Sequence, residues 1–311
     1  MNRGLFLTLS MIISLAVAAC TPQTPTPTPP PVTETALPEP TALPVADLTL
    51  DQVKNAGYTF DLGESMPSFN LVDGTYKSGT DTSAPGYFQA TMSDKAAFGD
   101  LNGDGLGDAA VSIGLSMGGT GVFEYVVALL NRDGQPVQGG YYYVDDRARI
   151  DDLSIADLRI VADAMVHGPN DPMCCPTLPV QASLQLPLDN GPLLLLAHQT
   201  SEVVPGAFRE ITITSPEPGI GVDKTCIIAG EVTIAPFENN LVYHAYDMNM
   251  NELVVGPLMV DAPDMGAPGT FELTLDLSAI DYSGPIFVTI SDLSPADGGI
   301  LALDSIVLVL K

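Results

Sequence analysis

The chain has 311 residues, of which 38 are Asp or Glu and 11 are Lys or Arg, so its formal net charge at pH 7 is −27. A surface this acidic repels nucleic acid, which excludes nucleic acid as a partner, and it favours solubility and divalent cations. The hydrophobic fraction of 46% excludes an acidic disordered tail and is sufficient for two domains with buried cores. Many Gly and Pro residues among Val, Ile, Thr and Tyr favour a mainly β fold.

Residues 1–19 are predicted to be a lipoprotein signal peptide. Arg3 supplies a positive charge, and the apolar stretch from Leu5 to Val17 is too short to span a membrane comfortably. The small residues in Val17-Ala-Ala-Cys20 resemble the lipobox of bacterial lipoproteins. That resemblance implies that Cys20 becomes the lipidated first residue and anchors the protein to the bacterial membrane on its extracytoplasmic side. An ordinary secretory signal with a chance cysteine is the alternative.

Residues 20–46 are predicted to be a tether. Pro and Thr dominate the sequence after Cys20. Such a segment cannot bury a core and tends to the extended polyproline II conformation. We expect it to hold the folded part of the chain away from the membrane.

Residues 47–200 are predicted to form a mixed, mostly β domain. A capping box at Thr49 to Gln52 predicts a short helix from Leu50 to Ala56. Short alternating or apolar runs between Gly-containing turns then predict strands. These runs are Tyr58–Leu62, Phe69–Val72, Lys95–Gly99, Asp108–Gly114, Val122–Leu130, Tyr141–Val144, Ile150–Ile155, Leu158–Val166, Val180–Leu188 and Leu193–His198.

The loop Asp100-Leu-Asn-Gly-Asp-Gly-Leu-Gly-Asp108 predicts a structural calcium site, because Ca²⁺ prefers six to eight oxygen ligands. The ligands would fall at the first five odd positions of an EF-hand-like loop and are Asp100, Asn102, Asp104, Leu106 (through its carbonyl) and Asp108. Val111 stands where an EF-hand has its bidentate Glu, so the loop is more similar to the calcium loops between strands of FG-GAP-type repeats. Only one copy is present, which argues against a propeller. A Gly- and Asp-rich turn without an ion is the alternative.

Residues 209–311 are predicted to form a seven-stranded immunoglobulin-like β-sandwich. From Phe271 to Leu277, apolar residues alternate with Glu, Thr and Asp, which is the period of a strand with one wet face. Seven short strands in about a hundred residues favour this sandwich. The predicted strands are Glu210–Thr214, Thr225–Ala235, Leu241–Met248, Glu252–Val260, Thr270–Leu277, Pro285–Ser291 and Ile300–Leu310.

The same region resembles the immunoglobulin-like domain of bacterial spore germination. The order and spacing of five segments carry the resemblance: Ile211–Gly219, Gly230-Glu231, Phe237-Glu238, Gly266–Phe271 and Ser294–Gly298. The resemblance implies a β-sandwich in an envelope protein, often a lipoprotein, with no catalytic residues to transfer. Over Gly99–Val111 and Asp171–Pro176, the first domain is similar to a module of bacterial envelope lipoproteins to which no activity is attached.

Three cysteines, Cys174, Cys175 and Cys226, are disulfide candidates once Cys20 is lipidated. Cys174 and Cys175 can bond to each other, which we favour slightly. Alternatively, one of them bonds Cys226 and links the two domains. His167 with these cysteines could suggest zinc or thiol chemistry, but zinc requires four ligands and at most three are near. Lone histidines within strands, such as His198 and His244, are usually structural.

The sequence predicts no enzyme. The pairs Asp145-Asp146 and Asp151-Asp152, with Asp157, could be paired carboxylates of a glycosidase, but Asp-rich turns in an acidic protein explain them better. The run Tyr141–Tyr143 is expected to alternate between two sheet faces. Motifs for a nucleophile elbow, a metalloprotease helix, a phosphate loop or a dinucleotide are absent from the sequence.

The predicted function is therefore binding, adhesion or scaffolding by a lipid-anchored envelope protein. Its partners would be the membrane, through Cys20, and an envelope protein or cell-wall polymer. An envelope hydrolase acting on polysaccharide or peptidoglycan is one alternative, and it requires a cleft lined by two carboxylates from residues 94–171. A germination-linked sensor is another.

Overall fold

The computed structural model describes residues 45–63, 65–187 and 191–311. The predicted signal peptide, Cys20, nearly all of the tether and part of the predicted turn at Asp189–Gly191 lie outside these ranges. No helix within the ranges is long and apolar enough to cross a membrane.

The described chain is mainly β, which confirms the predicted fold class. Its elements in chain order are α1 (Leu50–Lys54), β1 (Gly57–Thr59), β2 (Ser68–Asn70), β3 (Thr75–Ser78), β4 (Phe88–Gly99), β5 (Asp108–Ser116), β6 (Phe123–Arg132), β7 (Gln135–Asp146), β8 (Arg149–Ala156), β9 (Arg159–Val166), β10 (Leu178–Gln185), β11 (Leu195–Val204), β12 (Ala207–Arg209), β13 (Ile211–Ser215), β14 (Gly221–Val222), β15 (Thr225–Val232), a 3₁₀ turn (Phe237–Asn239), β16 (Asn240–Tyr246), β17 (Glu252–Asp261), β18 (Gly269–Asp276), β19 (Gly284–Leu293) and β20 (Ile300–Leu310).

Helix α1 begins where its capping box predicts. The Thr49 side chain accepts a hydrogen bond from the backbone N–H of Gln52, and the Gln52 side chain accepts one from the backbone N–H of Thr49. The helix ends at Lys54, two residues before the predicted end. Asn55 is the C-cap, and its side-chain amide donates a hydrogen bond of 2.8 Å to the Asp51 carbonyl.

An antiparallel sheet in the order β3-β4-β5-β6-β7 forms the middle of the N-terminal part. Strands β5 and β6 are buried on both faces. On one face, residues such as Val111 and Val127 pack with α1, β1 and β2. On the other, Ala110, Val126 and Ala128 pack against strands β8 to β11. Small apolar residues on this second face therefore lie between two layers of sheet.

The sheet β8-β9-β10-β11 continues directly into the C-terminal part. Strand β11 pairs antiparallel with β20 at His198↔Asp304 and Gln199↔Leu303. Leu303 also belongs to the apolar cluster between the N-terminal layers. Backbone hydrogen bonds and packing both cross the position where the sequence predicts a domain boundary.

The C-terminal part is an immunoglobulin-like sandwich. One sheet has the order β13-β15-β18-β17 and the other has the order β17-β16-β19-β20, so β17 contributes to both. Buried residues of both sheets, among them Ile228, Leu241, Leu275 and Ile290, form one core. Seven strands correspond to the seven predicted ones. The two-residue strand β14 pairs parallel with β20 in addition, and it is too short to give an alternating pattern.

Candidate functional site

The predicted calcium loop connects β4 to β5 and is closed by hydrogen bonds from its own backbone. Asp100 Oδ1 accepts the N–H groups of Asn102 at 3.1 Å and Gly103 at 2.7 Å. Asp100 Oδ2 accepts the N–H of Gly105 at 2.9 Å, and the Gly105 bond is the main cause of a lowered pKa for Asp100. Gly103 and Gly105 adopt φ of 79° and 81°, a conformation that favours glycine.

Asp108, at the end of the loop, points into the protein and is fully buried. Its Oδ2 accepts the N–H of Leu101 at 2.8 Å, and its Oδ1 accepts the N–H of Asn131 on β6 at 2.7 Å. Burial raises the pKa of Asp108, although the two backbone hydrogen bonds oppose that rise. Asp108 thus holds the loop against the neighbouring strand.

The other predicted side-chain ligands are hydrogen-bonded within the loop. Asp104 accepts the backbone N–H of Leu106 and the side-chain amide of Asn102, so it also takes part in the internal hydrogen bonding. Asp108 is the most buried of the predicted carboxylate ligands, and each of its oxygens already accepts one backbone hydrogen bond. Within the described ranges, no group of three or more His, Cys, Asp or Glu side chains could hold a metal ion. Calcium at this loop stays a prediction, with a smaller ligand set.

The cysteines fall in two places. Cys174 and Cys175 form a disulfide with each other in the loop between β9 and β10. Asp171 holds this loop by accepting hydrogen bonds of 2.8 Å from Gly168 N–H and 2.7 Å from Thr177 N–H. Cys226 on β15 is a free, half-buried thiol whose pKa is raised by burial.

A cavity of about 290 Å³ lies between the middle sheet and strands β9 to β11. Its apolar wall includes Val126, Ala162, Val180 and Leu184. The loop between β19 and β20 of the sandwich contributes further residues, so the cavity lies at the junction of the N-terminal and C-terminal parts. Ligand sites favour such junctions.

An Asp–His pair lines this cavity. The backbone N–H of His167 and its Nδ1 both lie close to Asp145 Oδ2, at 2.7 and 2.8 Å. The carboxylate therefore fixes a proton on Nδ1, which leaves the Nε2 lone pair free in the neutral ring. Nε2 is buried and has no hydrogen-bond partner within the described chain. A buried polar atom of this kind is a candidate contact for a ligand or an ordered water.

Further polar groups of the cavity come from β7, from β11 and from the loop between β19 and β20. Gln199 on β11 donates its amide hydrogen to the Ile300 carbonyl at 2.7 Å. Asp297, in the β19–β20 loop, has a pKa lowered first by a hydrogen bond with Ser294 and then by the Gly299 N–H. Tyr142 is buried, which raises its pKa to about 12 and keeps the phenol neutral.

Glu124 lies beside the cavity in a separate groove on the same sheet face. It is directly opposite Asp145 in the β6–β7 pair and accepts a hydrogen bond of 3.2 Å from the Ser112 hydroxyl. Burial raises the pKa of Glu124 to about 7. A side chain at Gly114 would place its Cβ 2.7 Å from Glu124 Oε1, so glycine leaves room for the carboxyl group.

The sequence singled out Asp145 and His167 for different chemistries, and the structure pairs them with each other. The sequence alone does not indicate Glu124, Gln199 or Asp297 as site residues, because no recognisable motif surrounds them. A carboxyl residue in an otherwise apolar strand, as at Glu124, is the one signal available.

The other candidate residues have local partners. Asp146 forms an ion pair of 3.0 Å with Arg147, and Asp151 pairs with Arg149 at 2.6 Å. His198 lies 3.3 Å from Asp304, and the exposed pair of His244 and Glu252 is separated by 2.8 Å.

The tyrosine run alternates as expected. Tyr141 packs in the core on the α1 side of the middle sheet, and Tyr142 packs on the opposite side. The ring of Tyr143 lies 5.3 Å from that of Tyr125, on the Tyr141 side.

Comparison with known proteins identifies the C-terminal region. Residues 210–299 match the family described as the immunoglobulin-like domain of bacterial spore germination, which confirms the resemblance. No curated protein matches the chain. A solved structure described as a tetra-tandem repeat in the extending region of a large adhesion protein is similar over 79% of this chain and 77% of that chain, at 13% identity and a TM-score of 0.23. Similarity at that TM-score carries no argument about this chain.

Proposed function

We propose that this chain is a lipid-anchored binding protein of the bacterial envelope and not an enzyme. The cavity at the junction carries the binding role, because its walls come from the N-terminal sheets and from the immunoglobulin-like domain together. A concave space with apolar walls and a few convergent polar groups is typical of a ligand site. The envelope protein or cell-wall polymer expected as a partner would then be recognised by both parts of the chain.

The proposed location rests on the N-terminal sequence and is supported by the disulfide. Cys20 would carry the lipid, and the Pro- and Thr-rich segment would extend the folded part from the membrane. A disulfide between Cys174 and Cys175 is consistent with an oxidising compartment outside the cytosol.

Fatty-acid labelling tests the anchor. Cells expressing the full chain are grown with a clickable palmitate analogue, and the membrane and soluble fractions are compared with those of Cys20→Ser. We expect label and membrane association only with Cys20 present. Equal labelling of both proteins would contradict the anchor.

A cavity-filling variant tests the binding role. Ala182 is buried in the cavity wall, and Ala182→Leu would fill part of the space. Full-length protein in detergent is used to capture partners from solubilised envelope and from purified cell-wall polymer. Ala84→Leu, on an exposed loop, is the matched control. We expect the native protein and the control to capture the same partners, and we expect Ala182→Leu to lose them. Identical capture by all three proteins would contradict a role for the cavity.

A hydrolase is the second candidate, because Glu124 has a pKa of about 7 and lies opposite Asp145. A general acid needs such a pKa. However, Asp145 is the only carboxylate from residues 94–171 that lines the cavity, and Glu124 is the only one in the groove. The two carboxylates therefore do not share either space. Release of sugar or peptide from peptidoglycan by the native protein but not by Glu124→Gln would favour the hydrolase.

A further inference from the structure

Apart from the tyrosine hydroxyl groups, the polar side chains that line the junction cavity can accept hydrogen bonds. Asp145 and Asp297 contribute carboxylates, and His167 contributes an imidazole. The amide nitrogen of Gln199 is engaged by the Ile300 carbonyl, which leaves the side-chain oxygen of Gln199 to accept. Among the residues that the structure describes, no Lys or Arg lines the cavity. A ligand that donates hydrogen bonds and carries positive charge complements this lining.

The imidazole of His167 narrows the class of ligand further. Asp145 fixes the proton on Nδ1 of His167, so the unpartnered Nε2 offers a lone pair in the neutral ring. An ammonium group has three N–H donors and no acceptor, and it can donate to Nε2 while the carboxylates balance its charge. A carboxylate or phosphate ligand would instead meet two like charges.

The walls define the rest of the ligand. Val126, Ala162, Val180 and Leu184 make an apolar surface that suits a hydrocarbon substituent. Tyr142 lies on the same face and lines the cavity, and an aromatic ring attracts a cation near its face. A volume of about 290 Å³ admits a small molecule or one side group of a larger envelope partner.

We propose that the junction cavity binds a small organic cation, namely a primary amine with an apolar substituent. The amine lies between Asp145, Asp297 and His167, and the substituent lies against the apolar wall. This inference rests on the proposed binding function and names the class of ligand.

Calorimetry with two matched probes tests the ligand class. Benzylamine is charged at pH 7, and benzyl alcohol has nearly the same shape without the charge. Both are titrated into the full-length protein in detergent. We expect benzylamine to bind at least about tenfold more tightly than benzyl alcohol.

Charge-neutralising variants locate the site. Asp145→Asn and Asp297→Asn should each weaken the affinity for benzylamine about tenfold and leave the affinity for benzyl alcohol nearly unchanged. Asp261→Asn removes the same charge from an exposed strand end outside the cavity and should alter neither affinity. Thermal unfolding of each variant identifies any that fails to fold, and Asp297→Asn, in a loop, is the more tolerant of the two.

The outcomes separate this inference from the proposed function. Equal affinity for the two probes, or benzylamine binding that Asp145→Asn and Asp297→Asn both leave unchanged, overturns the amine assignment. If Ala182→Leu still loses the envelope partners in that case, the cavity remains a binding site for another class of ligand. If the native protein binds neither probe, the assignment is likewise overturned.

Discussion

Glu124 and Asp145 lie directly opposite each other across the antiparallel pair of β6 and β7, so two carboxyl groups are neighbours on one sheet face. Like charges at such positions destabilise a sheet. Burial raises the pKa of Glu124 to about 7, so this carboxyl group keeps its proton to a higher pH than an exposed glutamate does.

The pH dependence of stability should therefore carry a contribution from Glu124. The folded pKa is about 7 against an ordinary 4.5, so the unfolded state loses its proton first as pH rises. The contribution is fully present below pH 4.5, is lost as pH rises through about 7, and amounts to roughly 3 kcal/mol. Urea unfolding between pH 4.5 and 8 measures it as the difference between native protein and Glu124→Gln. Glu231→Gln, at an exposed position, should track the native curve. If the free energy of unfolding of the native protein and of Glu124→Gln changes with pH in the same way, this assignment is ruled out.

Asp108→Asn should destabilise the protein by about 2–4 kcal/mol. Both carboxylate oxygens accept backbone N–H groups, from Leu101 and Asn131, and an amide nitrogen would face one of these donors without bonding. Asp104→Asn, in the exposed part of the same loop, should change the free energy of unfolding by no more than about 0.5 kcal/mol. Urea unfolding in the presence of chelator compares the two variants, and equal costs would show that burial of Asp108 is not what matters.

Calcium should bind the loop weakly, because Asp108 is bonded to backbone N–H groups, which leaves Asp100, Asn102, Asp104 and the Leu106 carbonyl as the more accessible predicted ligands. A ligand that binds only the folded state raises the unfolding midpoint. We expect a rise at millimolar calcium, relative to chelator, that Asp104→Ala abolishes. Magnesium at the same concentration controls for ionic strength. An unchanged midpoint in calcium would refute the site.

Arg209→Met should destabilise the protein by about 3–5 kcal/mol, since it leaves Asp292 buried without its ion-pair partner. Burial raises the pKa of Asp292 and Arg209 opposes that rise, so the pair is needed to keep the carboxylate charged. The double variant Arg209→Met/Asp292→Leu removes the stranded charge and should recover most of the loss. A double variant as unstable as the single one would show that packing of the arginine, and not the charge pair, is responsible.

Sequence patterns predict a sandwich strand well where one of its faces is exposed to solvent, as in β18, whereas β19 is buried on both faces and gives a largely apolar run. The residues from Phe271 to Leu277 alternate between buried and exposed as their chemistry requires. The N-terminal strands were less visible. The first half of β4 is rich in Gln, Thr, Ser and Asp, so only Lys95–Gly99 was predicted, and a bulge between Met92 and Ala96 interrupts the register.

The cavity could not be predicted, because its residues come from strands and a loop that are distant in the sequence. Asp145 and His167 are 22 residues apart, and Asp297 belongs to the other part of the chain. Nor does the loop sequence reveal that Asp108 turns inward while Asp104 faces solvent. Strand register and the direction of a single side chain decide both features.

The hydrogen bonds at the junction of the two parts bear on how the proposed ligand would reach the cavity. Glu210 alone separates β12 from β13, and its N–H is held by the Thr233 hydroxyl at 2.9 Å. Because β11 and β20 are hydrogen-bonded as well, the two parts of the described chain are joined by paired strands and not only by the connecting residue. A ligand of the proposed cavity would therefore meet a space whose walls are already held together by these strand pairings.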